Sequence, residues 1–299
     1  MEELQHIAPT AIGKNHIDIQ QILKKKNVHL PDWAVQLLAR LLHQQDINNA
    51  IYHHRDKTGV DFVKAFLSGT EPYDLDCHID VTGSENIPLQ GNPIFVGNHP
   101  LGGPDGMALI AAIGDYRRDI RFPVNDFLMH IPALAPLFIP IDKVKNIKTP
   151  EDRAKLQANI TRLEGAFSDD NALLYFPAGI CSRKQRGGII RDLEWKPTFV
   201  KKAVRYHRDI VPFFFDACNR KRFYNLARLR ERLGIKFNFE MALLPGELYA
   251  QRGKHLHLII GKPIPYTLLD KRLRPEEWAQ RLKDHCYRLK DNPTLAFTI

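Results

Sequence analysis

Cysteine is scarce and unpatterned in this 299-residue chain. Cys77, Cys181, Cys218 and Cys286 form no C-x-x-C pair and have no histidine at zinc-ligand spacing. A disulfide-stapled scaffold and a recognisable zinc module are therefore excluded, and the thiols read as reduced, as in a cytosolic protein. Long hydrophobic runs are lacking too. The stretch Phe127–Ile141 carries no Asp, Glu, Lys or Arg over fifteen residues, but Pro132, Pro136 and Pro140 interrupt it. A spanning helix needs about 20 apolar residues. The first residues, Met-Glu-Glu-Leu-Gln-His, have no apolar core, so no secretory signal is expected. G-x-x-x-x-G-K-S/T, G-x-G-x-x-G and G-x-S-x-G are all missing, which removes the common nucleotide loops and the serine-hydrolase elbow. No internal repeat or low-complexity linker breaks the chain.

What is present is the composition of a soluble globule, 44% apolar and 26% charged. Lys and Arg number 43 against 34 acids, a surplus of +9 that favours an anionic partner. Nucleic acid is not expected, because no aromatic-basic signature or known module accompanies the charge. His53-His54 and His255/His257 lack the helical spacing of metal ligands and read as ordinary surface or strand histidines, so no metal is expected.

Residues 1–76 read as a helical subdomain. Apolar stripes at Ile17–Leu23, at Leu37, Leu38, Leu41 and Leu42 behind Pro31-Asp32-Trp33, and at Val60–Leu67 read as core packing, with a membrane-resting amphipathic helix as the alternative. From residue 77 short apolar runs alternate with amphipathic ones. Strands are expected at Cys77–Val81, Ile94–Gly97, Ile120–Val124, Ala172–Phe176, Ile210–Phe215 and His255–Ile260. Helices are expected at Asp105–Ala112, Pro150–Phe167, Pro197–Tyr206, Phe223–Leu233 and Pro275–Leu289. This predicts an α/β fold with a mixed, largely covered central sheet flanked by helices over 77–266, followed by a C-terminal helix and tail over 267–299. Ile235–Tyr249 fits strand and helix equally.

Two strand ends carry the chemistry. In Ile94-Phe95-Val96-Gly97-Asn98-His99-Pro100-Leu101-Gly102-Gly103-Pro104-Asp105 an apolar strand runs into Asn-His, a Gly/Pro loop follows, and Asp105 stands where a helix starts. If the loop folds back, as Gly102 and Gly103 permit, Asp105 fixes the tautomer of His99 and leaves its other ring nitrogen as a general base. The plainer reading makes Asp105 a helix cap and His99 a loop residue. In Leu173–Lys184 a second strand enters Pro177-Ala178-Gly179 and then Ser182-Arg183. Backbone amides around Gly179 together with Arg183 suit a phosphate or carboxylate, and Arg186, Arg191 and Lys196 extend the positive field. Lys201 and Lys202 read as solvated surface.

These residues resemble the glycerol-phosphate and lysophospholipid acyltransferase superfamily through four ordered blocks over roughly 77–265. They are Asn98-His99 to Asp105, Val124-Asn125-Asp126 through Phe138–Asp142, Phe176-Pro177-Ala178-Gly179 with Ser182-Arg183, and Ile210-Val211-Pro212. Two departures stand out: five residues rather than four separate His99 from Asp105, and Ala178 replaces the usual Glu. The His-Pro-Leu-Gly-Gly form is similar to a bacterial branch labelled hemolysin-like or amino-acid-lipid acyltransferase.

The resemblance implies that His99 deprotonates a lipid hydroxyl, with Asp105 steadying the imidazolium. The hydroxyl oxygen then attacks an acyl carrier protein or CoA thioester, with no protein nucleophile and no cofactor. It further implies an oxyanion donor near Gly179 or in the Gly102-Gly103 loop, Arg183 as anchor of the acceptor's anion, and Asn98, Asn125, Pro177 and Ser182 around the substrate. The acceptor expected first is a lysophospholipid in membrane lipid synthesis, met at the inner face of the cytoplasmic membrane by a cytoplasmic, peripheral protein. The hydroxyl of an N-(3-hydroxyacyl) amino acid is the second version, and a non-catalytic lipid-binding or hemolysin-like protein the alternative from another class. The Phe127–Ile141 stretch reads equally as acyl channel, membrane contact or buried core.

Overall fold

The structure, a computed structural model, describes residues 16–25, 27–141, 147–235 and 238–298. Among the described residues four short helices come first, α1 (Ile19–Lys25), α2 (Asp32–Leu41), α3 (Gln44–His53) and α4 (Gly59–Ser68). There follow β1 (His78–Thr82), β2 (Ile94–Gly97), α5 (Pro104–Ile113), β3 (Ile120–Asn125), β4 (Phe138–Ile141), α6 (Pro150–Ser168) and β5 (Ala172–Tyr175). The hairpin β6 (Arg183–Lys184) and β7 (Ile190–Arg191) precedes α7 (Thr198–Arg205), β8 (Ile210–Asp216), α8 (Lys221–Arg232), α9 (Leu244–Tyr249), β9 (His255–Ile260) and α10 (Pro275–Arg288).

Seven strands form one sheet in the order β1-β9-β8-β2-β5-β3-β4, parallel at every pairing except β8 with β9. The α/β expectation therefore holds, and the reason is visible in the strands. All of β2 is buried, as are Ala172–Leu174 of β5 and Ile210–Phe215 of β8. A strand covered on both faces reads as an unbroken apolar run. Phe95, Leu174, Val211 and Phe213 enter a core shared with α4, α5 and the N-terminal helices, while Ile94, Val96, Leu173 and Ile210 pack under α6, α7 and α10. Strand β9 is covered on one face only and accordingly alternates, with Leu256 and Leu258 inward and His255 and His257 outward.

Three features depart from the sequence reading. Strand β4 lies inside the Phe127–Ile141 stretch, where Pro140 is tolerated because β4 is the sheet edge and has β3 as its one neighbour. Leu134 and Leu137 of this stretch are core residues, so its inner side is buried packing. The ambiguous Ile235–Tyr249 segment contains no strand among its described residues: a 3-10 turn at Phe239–Leu243 runs into α9. Helix α2 contains no buried residue at all. Leu38 and Leu42 lean on the core, but Trp33, Leu37 and Leu41 are 69%, 60% and 40% exposed. Core packing thus accounts for only part of that stripe.

A buried cation closes the end of the sheet opposite the site. Arg208, wholly enclosed, donates to the carbonyls of Ala166, Phe167 and Asp169 at the end of α6 and to those of Pro93 and Asn171 before β2 and β5. Burial pushes its pKa down to about 10, so it stays charged at neutral pH and complements the negative end of α6. Among the described residues no helix is long and apolar enough to cross a membrane.

Candidate active site

Strands β2, β5, β3 and β8 all point the same way, so the segments that leave them meet beyond one end of the sheet. Asn98 continues β2 by a side-chain imitation of the ladder. Its Nδ2 donates to Phe215 O at 2.9 Å and its Oδ1 accepts from Phe215 N at 2.7 Å. With 2% of its surface exposed, this residue fastens β2 to β8 instead of facing a substrate, contrary to the sequence-based expectation.

His99 follows, and its backbone is held on both sides. Its carbonyl accepts from Ser182 N at 2.7 Å and its N–H donates to Asp192 Oδ1 at 3.2 Å. The ring stacks on Phe176, centroid to centroid 4.0 Å, and its Nδ1 lies 3.0 Å from Asp105 Oδ2. The chain reverses at Gly102, whose φ of +94° lies in the region that favours glycine, and a Cβ there would stand 2.9 Å from Leu244 Cδ1. That reversal brings the fully enclosed Asp105 side chain back to the imidazole across the intervening residues Pro100 through Pro104.

Asp105 is the second residue of α5, whose cap is Gly103, and its carboxylate meets both the imidazole and the first turn of the helix. Its Oδ1 accepts from Gly106 N at 2.9 Å in the first turn of α5, and its Oδ2 accepts from Leu101 N at 3.0 Å and Gly102 N at 3.3 Å besides the imidazole. Burial pushes the Asp105 pKa up, but the charge and hydrogen bond of His99 and the loop amides outweigh it, and the net shift is downward. Burial likewise pushes His99 down. The charge and hydrogen bond of Asp105, joined by the charge of Asp192, reverse that and leave His99 above its ordinary value. An ionised carboxylate can only accept, so Nδ1 carries the proton and Nε2 of the neutral ring carries the lone pair, on a side chain 15% exposed.

The second strand end is arranged differently from the expectation. Arg183 is almost fully enclosed, and its guanidinium is spent internally: Nη2 meets Glu240 Oε1 at 3.1 Å and Nη1 donates to Cys181 O at 3.1 Å. Glu240, in the 3-10 turn before α9, is itself paired with Arg230 at 2.9 Å. Arg183 is thus placed as an internal tie between the β5 exit and Phe239–Leu243, and its charge is already balanced. Ser182 Oγ donates to Asp192 Oδ1 at 2.6 Å and so supports the backbone of His99. The N–H of Gly179 closes a turn onto Phe176 O at 3.0 Å, which occupies the donor expected to face an oxyanion. The carbonyl of Pro177 accepts from Lys196 N at 3.1 Å, and the Lys196 ammonium overlies Gly179, 3.6 Å from where a Cβ would stand. Asn125 ends β3 at the same end of the sheet, half-buried. Gly103 caps α5 with open space beside its Cα. Asp142, which closes the second block, lies outside the described residues.

Sequence reasoning missed Asp192. It is completely buried, accepts from Trp195 Nε1 at 3.0 Å as well as from His99 and Ser182, and its carbonyl accepts from Lys283 of α10. The available signal was one of two acids, Asp192 and Glu194, inside a run of cations between Arg183 and Lys202.

The model of a family described as acyltransferase matches residues 22–294. The chain belongs to the acyltransferase family. This acyltransferase is 44% identical over 278 residues to a lyso-glycine lipid O-acyltransferase of Phocaeicola vulgatus, covering 91% of this chain and 95% of the relative. It is 41% identical over 278 residues to a lyso-glycine lipid O-acyltransferase of Bacteroides thetaiotaomicron, covering 91% and 97%. Among solved structures, the 1-acyl-sn-glycerophosphate acyltransferase of Thermotoga maritima is similar with a TM-score of 0.43 and 14% identity, over 91% of this chain and 88% of that one.

The protein is an enzyme that transfers acyl groups, and the buried His99–Asp105 pair has the chemistry of a general base. The electrostatic arrangement is open to a direct measurement. In the wild-type protein His99 titrates above the ordinary value of about 6.5. In Asp105→Asn the burial stays and the carboxylate charge goes, so its pKa falls below that value. Histidine NMR titration reads both values; an unmoved His99 resonance would show that the carboxylate does not govern the ring.

Proposed function

We propose that the enzyme transfers a fatty acyl group from an acyl carrier protein or CoA thioester to the hydroxyl of a lyso-glycine lipid, an N-(3-hydroxyacyl) glycine. The carrying observation is the His99–Asp105 pair at 3.0 Å, in a chain more than 40% identical over nearly its whole length to two enzymes of that name. Of the two acceptors the sequence suggested, these relatives favour the amino-acid lipid over the lysophospholipid. Ala178, where the superfamily resemblance led to Glu, agrees with an acceptor other than glycerol phosphate.

In this reading Nε2 of neutral His99 takes the proton of the acceptor hydroxyl as its oxygen attacks the thioester carbonyl. Asp105 balances the imidazolium that forms. The tetrahedral intermediate collapses by breaking the C–S bond, and the departing thiolate recovers the proton from His99. One ester forms, one thioester is consumed and one thiol is released. The Gly103 N–H of the Gly102-Gly103 loop supplies the oxyanion donor, since the N–H groups of Gly179 and Gly102 are engaged by Phe176 O and Asp105 Oδ2. Lys196 replaces Arg183 as the cation facing the acceptor carboxylate, because its ammonium lies over the strand-end turn while Arg183 is neutralised by Glu240.

Helix α2 supplies the membrane contact. Trp33, Leu37 and Leu41 repeat every fourth residue on one exposed face, Val28 and Leu30 extend it, and the exposed Lys24, Lys25 and Arg40 flank it. Apolar residues bordered by cations match an anionic lipid surface, where the donor and acceptor of a lipid-modifying enzyme are delivered.

Four measurements test this account. His99→Ala, with its fold checked by circular dichroism, lowers kcat/KM for acylation of synthetic lyso-glycine lipid by about 10²–10⁴-fold. Wild-type enzyme that acylates lysophosphatidic acid faster than lyso-glycine lipid would overturn the acceptor. Lys196→Ala raises KM for the lyso-glycine lipid by about tenfold and leaves KM for the thioester within about twofold; an unchanged acceptor KM removes Lys196 from the carboxylate site. The triple exchange of Trp33, Leu37 and Leu41 to Ser abolishes co-sedimentation with phosphatidylglycerol vesicles and leaves the melting temperature unchanged, since none of the three is in the core. Retained vesicle binding would move the contact elsewhere.

A further inference from the structure

A separate cluster lies at the sheet edge formed by β1 and β9. The two strands run parallel with His78 opposite His255 and Asp80 opposite His257. Because side chains alternate along a strand, the burial of Leu256 and Leu258 turns His255 and His257 outward, and His78 and Asp80 share that face. Three imidazoles thereby surround one carboxylate. His255 Nδ1 stands 3.0 Å from Asp80 Oδ2, His78 Nε2 3.4 Å from Oδ1 and His257 Nε2 3.7 Å from Oδ2. The donor atoms of His78, Asp80 and His255 all lie within 4.8 Å of one another. The His255 contact is a hydrogen bond, and the other two are longer. In a tetrahedral zinc site with bonds of about 2.0–2.1 Å, neighbouring donors stand about 3.3–3.4 Å apart. The three spacings bracket that separation.

We propose that His78, Asp80 and His255, with His257 as fourth donor, form a binding site for a divalent transition ion, zinc being the best chemical match. Imidazole nitrogens with one carboxylate suit zinc, whereas magnesium and calcium take oxygen donors almost alone. Four protein ligands make a closed shell, the arrangement of a structural ion. Its place explains what it does: β1 is an edge strand paired with β9 only, and the ion clips the two together across a separation of 175 residues in sequence between Asp80 and His255. The pairs His78/Asp80 and His255/His257 each have strand spacing, i and i+2, so each alone reads as ordinary surface. Only the register makes four ligands of them. The site does not depend on the acyl-transfer reading.

The test uses the full chain, stripped with chelator, titrated with zinc chloride by calorimetry near neutral pH and melted with and without the ion. One zinc binds per chain with micromolar or tighter affinity and raises the melting temperature. His255→Ala and Asp80→Asn each weaken it by about tenfold or more, while His29→Ala, an exposed histidine elsewhere, does not. Both altered side chains are surface groups, and circular dichroism verifies the fold. Cobalt in place of zinc gives the visible d–d bands of a tetrahedral centre in the wild type and loses them in His255→Ala. Absence of saturable zinc binding, or equal binding by wild type, His255→Ala and Asp80→Asn, overturns the site.

Discussion

One enclosed carboxylate organises the candidate active site of this enzyme. Asp105 has no contact with water, yet it remains ionised because both oxygens find donors: Gly106 N on one, and Leu101 N, Gly102 N and His99 Nδ1 on the other. Leaving such a charge unpaired in the interior would cost several kcal/mol. The loop between β2 and α5 is therefore shaped by the need to satisfy it. The glycine at position 102, the place of the imidazole and the start of the helix are consequences of the same requirement. The imidazole is held in balance, since burial and the carboxylate act on His99 in opposite directions and the carboxylate prevails.

The support behind this pair is equally polar. Asp192 joins the backbone of His99, the hydroxyl of Ser182 and the indole of Trp195, and its own backbone is held by Tyr287 and Lys283 of α10. Helix α10 thus does more than cover the sheet. Through Asp192 it fixes the main chain from which the imidazole projects, a second layer of restraint that a catalytic base needs if its ring is to hold one orientation.

What the sequence revealed follows from what is local. The strands β2, β5 and β8 were legible because burial on both faces leaves an unbroken apolar run, and the His99–Asp105 pair was legible because one short loop carries both partners. Strand β4 escaped because Pro140 suggests a break, and an edge position is what makes it harmless. Arg183 was misread for a different reason. A cation beside a strand-end glycine looks like an anion site, and nothing nearby in the chain shows that Glu240 will fold over it. Asp192 and the histidines of β1 and β9 belong to the same class, because their partners are chosen by tertiary register. The amphipathic stripe of α2 was seen, but periodicity alone does not say which side of a helix meets protein and which meets something else.

The tie between Arg183 and Glu240 has a consequence for how this fold can change through descent. Glu240 exchanged for a neutral residue leaves Arg183 and Arg230 without the carboxylate they share in a dry interior, whereas loss of Arg183 still leaves Glu240 paired with Arg230. Drift at Glu240 is then closed unless Arg183, 57 residues away, moves in the same step. A lineage that freed this arginine for substrate would first have to rebuild the turn at Phe239–Leu243.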